Sequence, residues 1–370
     1  MTIPVRRACT LAISANDAKV RLENGVVMTV TNPRPDTVSI IDLSHNPPSI
    51  IADVEVPTSV AGPPFAVAVA PDESFALVSA ATKIDPADPT KIVSNNVLSV
   101  INLKSTPPCV IQTLECGAGA SGISINSAST LTLVANRGEG TVSVFTIDGN
   151  TLTPAGKVLL GDAKSSPSHI VITPDGARAL VTRDGDHGIS VLRINGSKVE
   201  STDRTFYAGF RPYGADITPD GAVVVVANMG RGQGDVDTVS VIDMRMEPPR
   251  TVTTISVGTT PEGIRLSADG RWCAVVLQEG SNRPVSSPFH QPRGKLVVLG
   301  LNGTQLAKLA EAPIGGWSQG VAFSADGRTI LVQNMIEENI QVFSFDGSAL
   351  RETSVIALNG GGAAIRTAGH

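Results

Sequence analysis

Residues Ser168–Arg183 read SHIVITPDGARALVTR. An apolar run of strand length, a Thr-Pro-Asp-Gly turn and a second apolar run make this a β-hairpin, because Pro, Asp and Gly supply the backbone angles of a tight reversal. The phrase recurs along the chain. Phe65 opens FAVAVAPDESFALVSA, Ser121 opens SGISINSASTLTLVAN and Tyr213 opens YGADITPDGAVVVVAN. Glu262 opens EGIRLSADGRWCAVVL and Gln319 opens QGVAFSADGRTILVQN. A third strand follows each hairpin, directly or after an insertion: VLSVINL, TVSVFTI, GISVLRI, TVSVIDM, KLVVLGL and IQVFSF. The N-terminal VVMTVTNPRPDTVSIIDL reads as one more second and third strand, and segments such as PRTVTTISV fit an outer fourth.

A repeat of about 40–55 residues built from short β-branched strands and Asp-Gly turns predicts the blades of a β-propeller. Counting the copies predicts an all-β, seven-bladed ring of four-stranded antiparallel blades in one domain, residues 1–370. The blades start near residues 8, 62, 118, 166, 211, 260 and 317. A single blade leaves both faces uncovered, and stacking around a ring covers them. The C-terminal GGAAIRTAG resembles EGIRLSADG, so Ala363–Ala368 is expected to close the ring as the inner strand of the N-terminal blade.

Bulk composition bounds the function. The 370 residues are 41% hydrophobic and 17% charged, with 36 Gly and 25 Pro and only 4% aromatic, so aliphatic side chains must fill the core. A net charge of −5 argues against nucleic acid, which needs a basic face. No apolar run approaches the roughly 18 residues of a membrane span. The N-terminal MTIPVRRACTLAISANDA has two arginines and a short apolar run broken by Thr10 and Ser14, and reads as a leader or as a strand. Cys9, Cys109, Cys116 and Cys273 lack metal-type spacing and read as reduced, buried thiols, which favours a cytoplasmic over a periplasmic setting. No metal or cofactor motif is present: there is no Gly-rich phosphate loop, no Cys/His set and no nucleophile elbow.

The turns between first and second strands (A and B) are uniformly tight, whereas the long insertions at 80–96, 229–237 and 278–294 all join second to third strands (B to C). Binding residues concentrate on loops over a rigid scaffold, so the site is expected at the B–C mouth of the channel with the insertions as a partial lid. Residues entering the inner strands there include Ser168, Tyr213, Glu262 and Gln319; residues leaving the second strands include Asn136, Arg183, Asn228 and Asn334, followed by Arg137, Asp184, Met229 and Gln278. The asparagines serve either substrate or the turn itself. His169 stands where other copies carry Gly or Ala. Its imidazole, expected near Arg183, Tyr213 and His187, is a general base or ligand, or else a channel-filling side chain. His169, Glu262 and Tyr213 are the catalytic candidates. Arg183, Arg137, Asn228, Gln319, Ser168, Arg231 and the insertion residue His290 are the substrate-binding candidates. Asp216 and Arg265, at equivalent positions in adjacent blades, are expected to pair.

LVANRGEGTVSVFTIDG and PYGADITPDGAVVVVANMG resemble repeats of the YVTN and lactonase-type seven-bladed propellers over nearly the whole chain. That resemblance implies either a 6-phosphogluconolactonase-like or cyclase-like enzyme or a non-catalytic repeat protein. The enzymes of the group usually carry His, Arg and Glu at the channel mouth; matched by spacing, those places hold Ser168, Tyr213 and Met229. His169 is one residue beyond the histidine position and so points differently along a strand. Two readings stand: acid–base chemistry on a small polar or anionic metabolite, of lactone hydrolysis, cyclisation or isomerisation type, and a non-catalytic scaffold binding a small ligand or a protein partner.

Overall fold

The computed structural model describes residues 10–368; Cys9, the first half of the segment read as a leader or a strand, and the expected blade start near residue 8 lie outside them. Seven four-stranded antiparallel sheets are arranged as a propeller. In chain order, blade 1 combines residues 361–367 with 11–17, 37–42 and 49–55. Blades 2 to 7 occupy 67–115, 120–159, 167–206, 212–258, 261–313 and 318–357. Within each blade the strands are lettered A to D from the channel outward. Each pair of neighbouring blades shares its own buried aliphatic cluster, so the core is a ring of seven interfaces. Among the described residues no helix is long and apolar enough to cross a membrane.

The recurrent turn is a hydrogen-bonded device. Thr173, Thr218, Ser267 and Ser324 each donate a hydroxyl hydrogen bond to the Asp two residues on, at 2.5–2.7 Å. The same carboxylates accept from the backbone beyond the turn. The intervening glycine adopts φ of +69° to +72° in all four blades, a conformation that side chains resist. Blade 2 puts Glu73 there instead, at φ +56°. Its carboxylate accepts from the backbone of Thr10 and Leu11, anchoring the start of strand B of blade 1.

The closing strand is Gly361–Thr367, beginning two residues earlier than the sequence repeat implied. It pairs with Leu11–Asp17 from Ala12↔Thr367 to Asp17↔Gly361. Gln333 of blade 7 fastens this joint, donating from its buried amide to Ser14 Oγ at 2.7 Å and to the Ala364 carbonyl at 3.0 Å. Strand B of blade 1 is therefore Leu11–Asp17, not the VVMTV segment. Val26–Thr29 instead pairs with Val20–Glu23 as an exposed hairpin in the B–C connection. The difference is physical: Leu11–Asp17 is buried almost throughout, and its Asn16 reaches strand C, donating to Thr37 and Ser39. Cys116 and Cys273 are buried, but Cys109 is exposed on an outer strand.

All the long excursions emerge on the B–C face. The 80–96 insertion is a hairpin extending strands Phe75–Asp85 and Asp88–Asn102. The excursions interlock: Val285 N donates to Asn24 Oδ1 at 2.8 Å, and Gly234 packs under Phe289. Val20, Val60, Trp317, Met335 and Ala363 form a small apolar cluster beneath them.

Ile365, 2% exposed in the joint between blades 7 and 1, tests the closure. Ile365→Ala should cost about 2–5 kcal/mol in urea denaturation, whereas Val355→Ala, 51% exposed on an outer strand, should stay within about 0.5 kcal/mol. Equal costs would mean that the terminal strand does not hold the ring.

Candidate functional site

At the end of strand B, four blades carry an asparagine whose amide donates to side chains of strand C. Asn136 reaches Thr141 and Ser143, Asn228 reaches Thr238 and Ser240, and Asn334 reaches Asn339 and Gln341, as Asn16 does in blade 1. Side chains alternate along a strand, so the next residue faces the other way, toward the channel mouth and the following blade. At the equivalent place, Arg137 follows Asn136 in blade 3, Asp184 follows Arg183 in blade 4 and Gln278 follows Leu277 in blade 6. With residues at the start of the next inner strands they build one polar cluster.

Asp184 is its hub. Its Oδ1 accepts from Arg137 Nη1 and from Ser168 Oγ, both at 2.6 Å, and its Oδ2 accepts from Arg211 Nη2 at 2.9 Å. Arg137 Nη1 also donates to Ser168 Oγ at 2.7 Å, and its guanidinium lies 5.5 Å from the Tyr213 ring centre. Burial works to raise the Asp184 carboxyl, but Arg137, Ser168 and Arg211 together hold it below the usual carboxylate range. Arg211 sits at φ +57°, which directs its side chain back over the mouth.

Glu262 is the group set apart. It is 7% exposed, and one carboxylate oxygen accepts from Gln278 Nε2 at 2.9 Å. Gln278 spends the same nitrogen on the Ser318 carbonyl at 2.8 Å. Burial pushes the Glu262 carboxyl up to about 7; Asp184 adds to the rise, while Gln278, Arg211 and Arg137 oppose it. Tyr213, wholly enclosed, is raised above the usual phenol value chiefly by burial and stays protonated. The mouth thus offers a carboxyl poised near neutrality, a neutral phenol and two guanidinium groups sharing one carboxylate.

The structure therefore brings Glu262, Tyr213, Arg137 and Ser168 together and adds Asp184, Arg211 and Gln278. Other candidates lie elsewhere. Arg183 occupies the structural-asparagine position, so it turns away from the cluster to the Leu160 carbonyl at 2.9 Å and to Asp186 at 3.1 Å. Asn228 is committed to strand C. Gln319 donates to the Trp317 carbonyl at 3.3 Å, beside Gly263 of the adjacent blade. Arg231 is exposed, lying with His187 against Phe210 on the rim, and His290 Nδ1 meets the Arg283 carbonyl at 3.1 Å within the lid.

His169 answers to a different environment from the one expected of it. Its ring is fully buried and stacks on Phe65 at 4.1 Å between centroids, with neither nitrogen bonded to the protein. Neighbouring glycines make the room: a Cβ on Gly122 would stand 2.7 Å from His169 Nδ1, and one on Gly214 would collide with Phe65. Burial first, then Arg366 and Arg265, keep the imidazole well below its ordinary pKa. The Phe65–His169 pair is a plug beneath the mouth, facing the arginines of the far end. Among the described residues no group of three or more His, Cys, Asp or Glu side chains is placed to hold a metal ion.

No protein-family model matches the sequence, and no curated protein sequence matches it. The fold itself is widely shared among solved structures. A "putative 6-phosphogluconolactonase" from Bacteroides fragilis aligns over 100% of both chains with a TM-score of 0.74 at 15% identity. The periplasmic gluconolactonase of Pseudomonas aeruginosa aligns over 98% of this chain and 99% of its own, with a TM-score of 0.70 at 16% identity. A protein of unknown function from Desulfotomaculum acetoxidans aligns over 97% and 99%, with a TM-score of 0.69 at 14% identity. At these identities the likeness establishes a lactonase-like seven-bladed propeller fold.

Glu262 and His169 bias stability in opposite directions. Glu262 keeps its proton in the fold up to about pH 7 but loses it near 4.5 when unfolded, so its contribution is present at low pH and lost as pH rises through 7. His169 is held neutral, so its contribution is complete above 6.5 and lost as pH falls below it. Each slope is about 1.4 kcal/mol per pH unit, and between 4.5 and 6.5 they cancel over the span they share. Urea denaturation at pH 5 and 6.5 should show stability rising with pH in Glu262→Gln and falling in His169→Phe. Parallel profiles in both variants and the native protein would refute the burial of these two groups.

Proposed function

We propose that the chain is a divergent lactonase-like propeller enzyme, working by acid–base chemistry on a small polar or anionic metabolite at the B–C mouth. The observation that carries the reading is the Glu262 carboxyl, lifted by burial to about 7 beside the Arg137–Asp184–Arg211 cluster. A group that titrates near the working pH exchanges protons in both directions. In lactone hydrolysis, the reaction type named for two of the structural relatives, ionised Glu262 takes a proton from water as its oxygen attacks the ring carbonyl. The tetrahedral oxyanion is met by Arg137 and the Tyr213 hydroxyl. The C–O bond of the ring then breaks, and the departing oxygen recovers the proton from Glu262. Arg211, on the outer side of Asp184, suits an anionic substituent. The set differs from the usual His/Arg/Glu of such enzymes, since Ser168, Tyr213 and Met229 occupy those positions.

A second reading, a binding scaffold, is favoured by the apolar side chains that the lid exposes, Val285 at 73% and Phe289 at 49%.

A panel of sugar lactones and unsaturated diacids separates the two. Turnover by the native protein should fall about 10²–10⁴-fold in kcat in Glu262→Gln, and kcat/KM should rise through pH about 7. Arg137→Gln should lower kcat about 10²–10³-fold. A native protein inert toward the whole panel, with no ligand-induced melting shift, would overturn the enzymatic reading; recovery of the same protein partner by the native protein and by Glu262→Gln would then establish the scaffold.

A further inference from the structure

The far end of the channel, on the side of the tight A–B turns, offers more than the sequence suggested. Asp216, Arg265 and Arg366 project there from the inner strands of blades 5, 6 and 1, around a cavity with about 50 Å3 of water-accessible space. The rest of its wall is largely aliphatic, including Val69, Ile125, Ile172 and Ile217. That volume exceeds the roughly 10–15 Å3 a single water requires by this measure, and it suits a particle of a few heavy atoms.

Its charges do not balance. Asp216 Oδ1 accepts from Arg265 Nη1 at 3.0 Å, while Oδ2 is taken by the backbone N–H of Leu266 at 2.8 Å. Arg366 is left 3.9 Å from the same carboxylate, and among the described residues its guanidinium makes no hydrogen bond to another protein group. The side chains of Arg265 and Arg366 are only 6% and 14% exposed. Two largely buried cations thus share one carboxylate that is already engaged, in walls of low polarity where an uncompensated charge is costly. His169, next inward with Phe65, is neutral and supplies no negative charge; Phe65 offers only its ring, 6.0 Å from the Arg366 guanidinium. Burial, with Arg265, draws the Arg366 pKa down to about 9, and Asp216 only partly opposes the fall.

We propose that this end of the channel is a site for a small monovalent anion, a halide or a one- or two-carbon carboxylate, bound by Arg366 with Arg265 behind it. One negative charge neutralises the excess, and the planar fork of Arg366 provides directed donors for it. The Phe65–His169 pair lies on the mouth side of the space, whose small volume suits the smallest anions. The site is separate from the Glu262 cluster and stands whether or not that cluster is catalytic.

The test is the melting temperature of the whole chain at constant ionic strength, with sodium glutamate, as the larger reference anion, replaced stepwise by sodium bromide in one series and sodium formate in another. A saturable rise in at least one series is expected, reaching about 3 °C once the anion is a hundredfold above its dissociation constant. In Arg366→Gln the rise should vanish, while melting in glutamate alone should match or exceed that of the native protein, because the long approach to an already engaged Asp216 and the Phe65 contact do not offset a buried excess charge. A crystal grown in bromide should show an anomalous peak beside Arg366. Native melting indifferent to both anions, an undiminished response in Arg366→Gln, or, where bromide gives the rise, a bromide crystal without that peak would each overturn the proposal.

Discussion

Residues 11–17 and 361–367, from opposite ends of the chain, meet as adjacent antiparallel strands, and every other blade is held in place because they do. A ring of radial sheets has no edge only when the last interface closes; until then two blade faces and the inner edge of Leu11–Asp17 stand open. Gln333 concentrates that closure in one side chain, bonding from blade 7 to both strands of blade 1. Gly362 is required beside it, since a Cβ there would stand 2.6 Å from the Gln333 Cβ. The five interfaces among blades 2 to 7 use local chain order. Both interfaces of blade 1 bury residues of the C-terminal strand, Ala364 against blade 2 and Ile365 against blade 7, and the geometry of the channel follows from them.

Closure makes the channel an internal space with two chemically distinct ends. At the B–C end, Arg137 and Arg211 both bond to Asp184, and one carboxyl, Glu262, stands apart from them and holds its proton near neutrality. At the A–B end, the arginines outnumber the carboxylate. Phe65 and His169 lie between, a stacked pair that fits because Gly122 and Gly214 have no side chains. The histidine that breaks the repeat is thus a packing element of the channel whose electrostatic neighbours are the far arginines. In the proposed function the acid–base role rests on Glu262, where burial acts on an acid and raises its pKa rather than lowering that of a base.

The tight-turn face shows how similar elements acquire different uses. Its turns are nearly uniform, each fastened by a hydroxyl and an aspartate around a left-handed glycine. Uniform turns leave the inner strands free to differ. The change from aliphatic side chains to Asp216, Arg265 and Arg366 in three blades converts a stretch of core into a polarised cavity.

The hairpin repeat by itself determined the ring, the number of blades, the terminal closure and the single decorated face, because alternation and turn chemistry are local and recur in every copy. It also placed Glu262, Tyr213, Arg137 and Ser168 at one mouth. It misassigned strand B of blade 1, since VVMTV is the more β-branched segment, while burial and the reach of Asn16 favour LAISAND. Arg183 and Asn228 were legible as mouth positions, yet alternation turns them toward strand C or the D–A connection, and the neighbouring Asp184 and Gln278 face the site. Only the tertiary structure decided which charges meet. Arg137, Asp184, Arg211 and Glu262 come from four successive blades, as Asp216, Arg265 and Arg366 come from three, and their ionisation depends on distances and burial set when the ring closes.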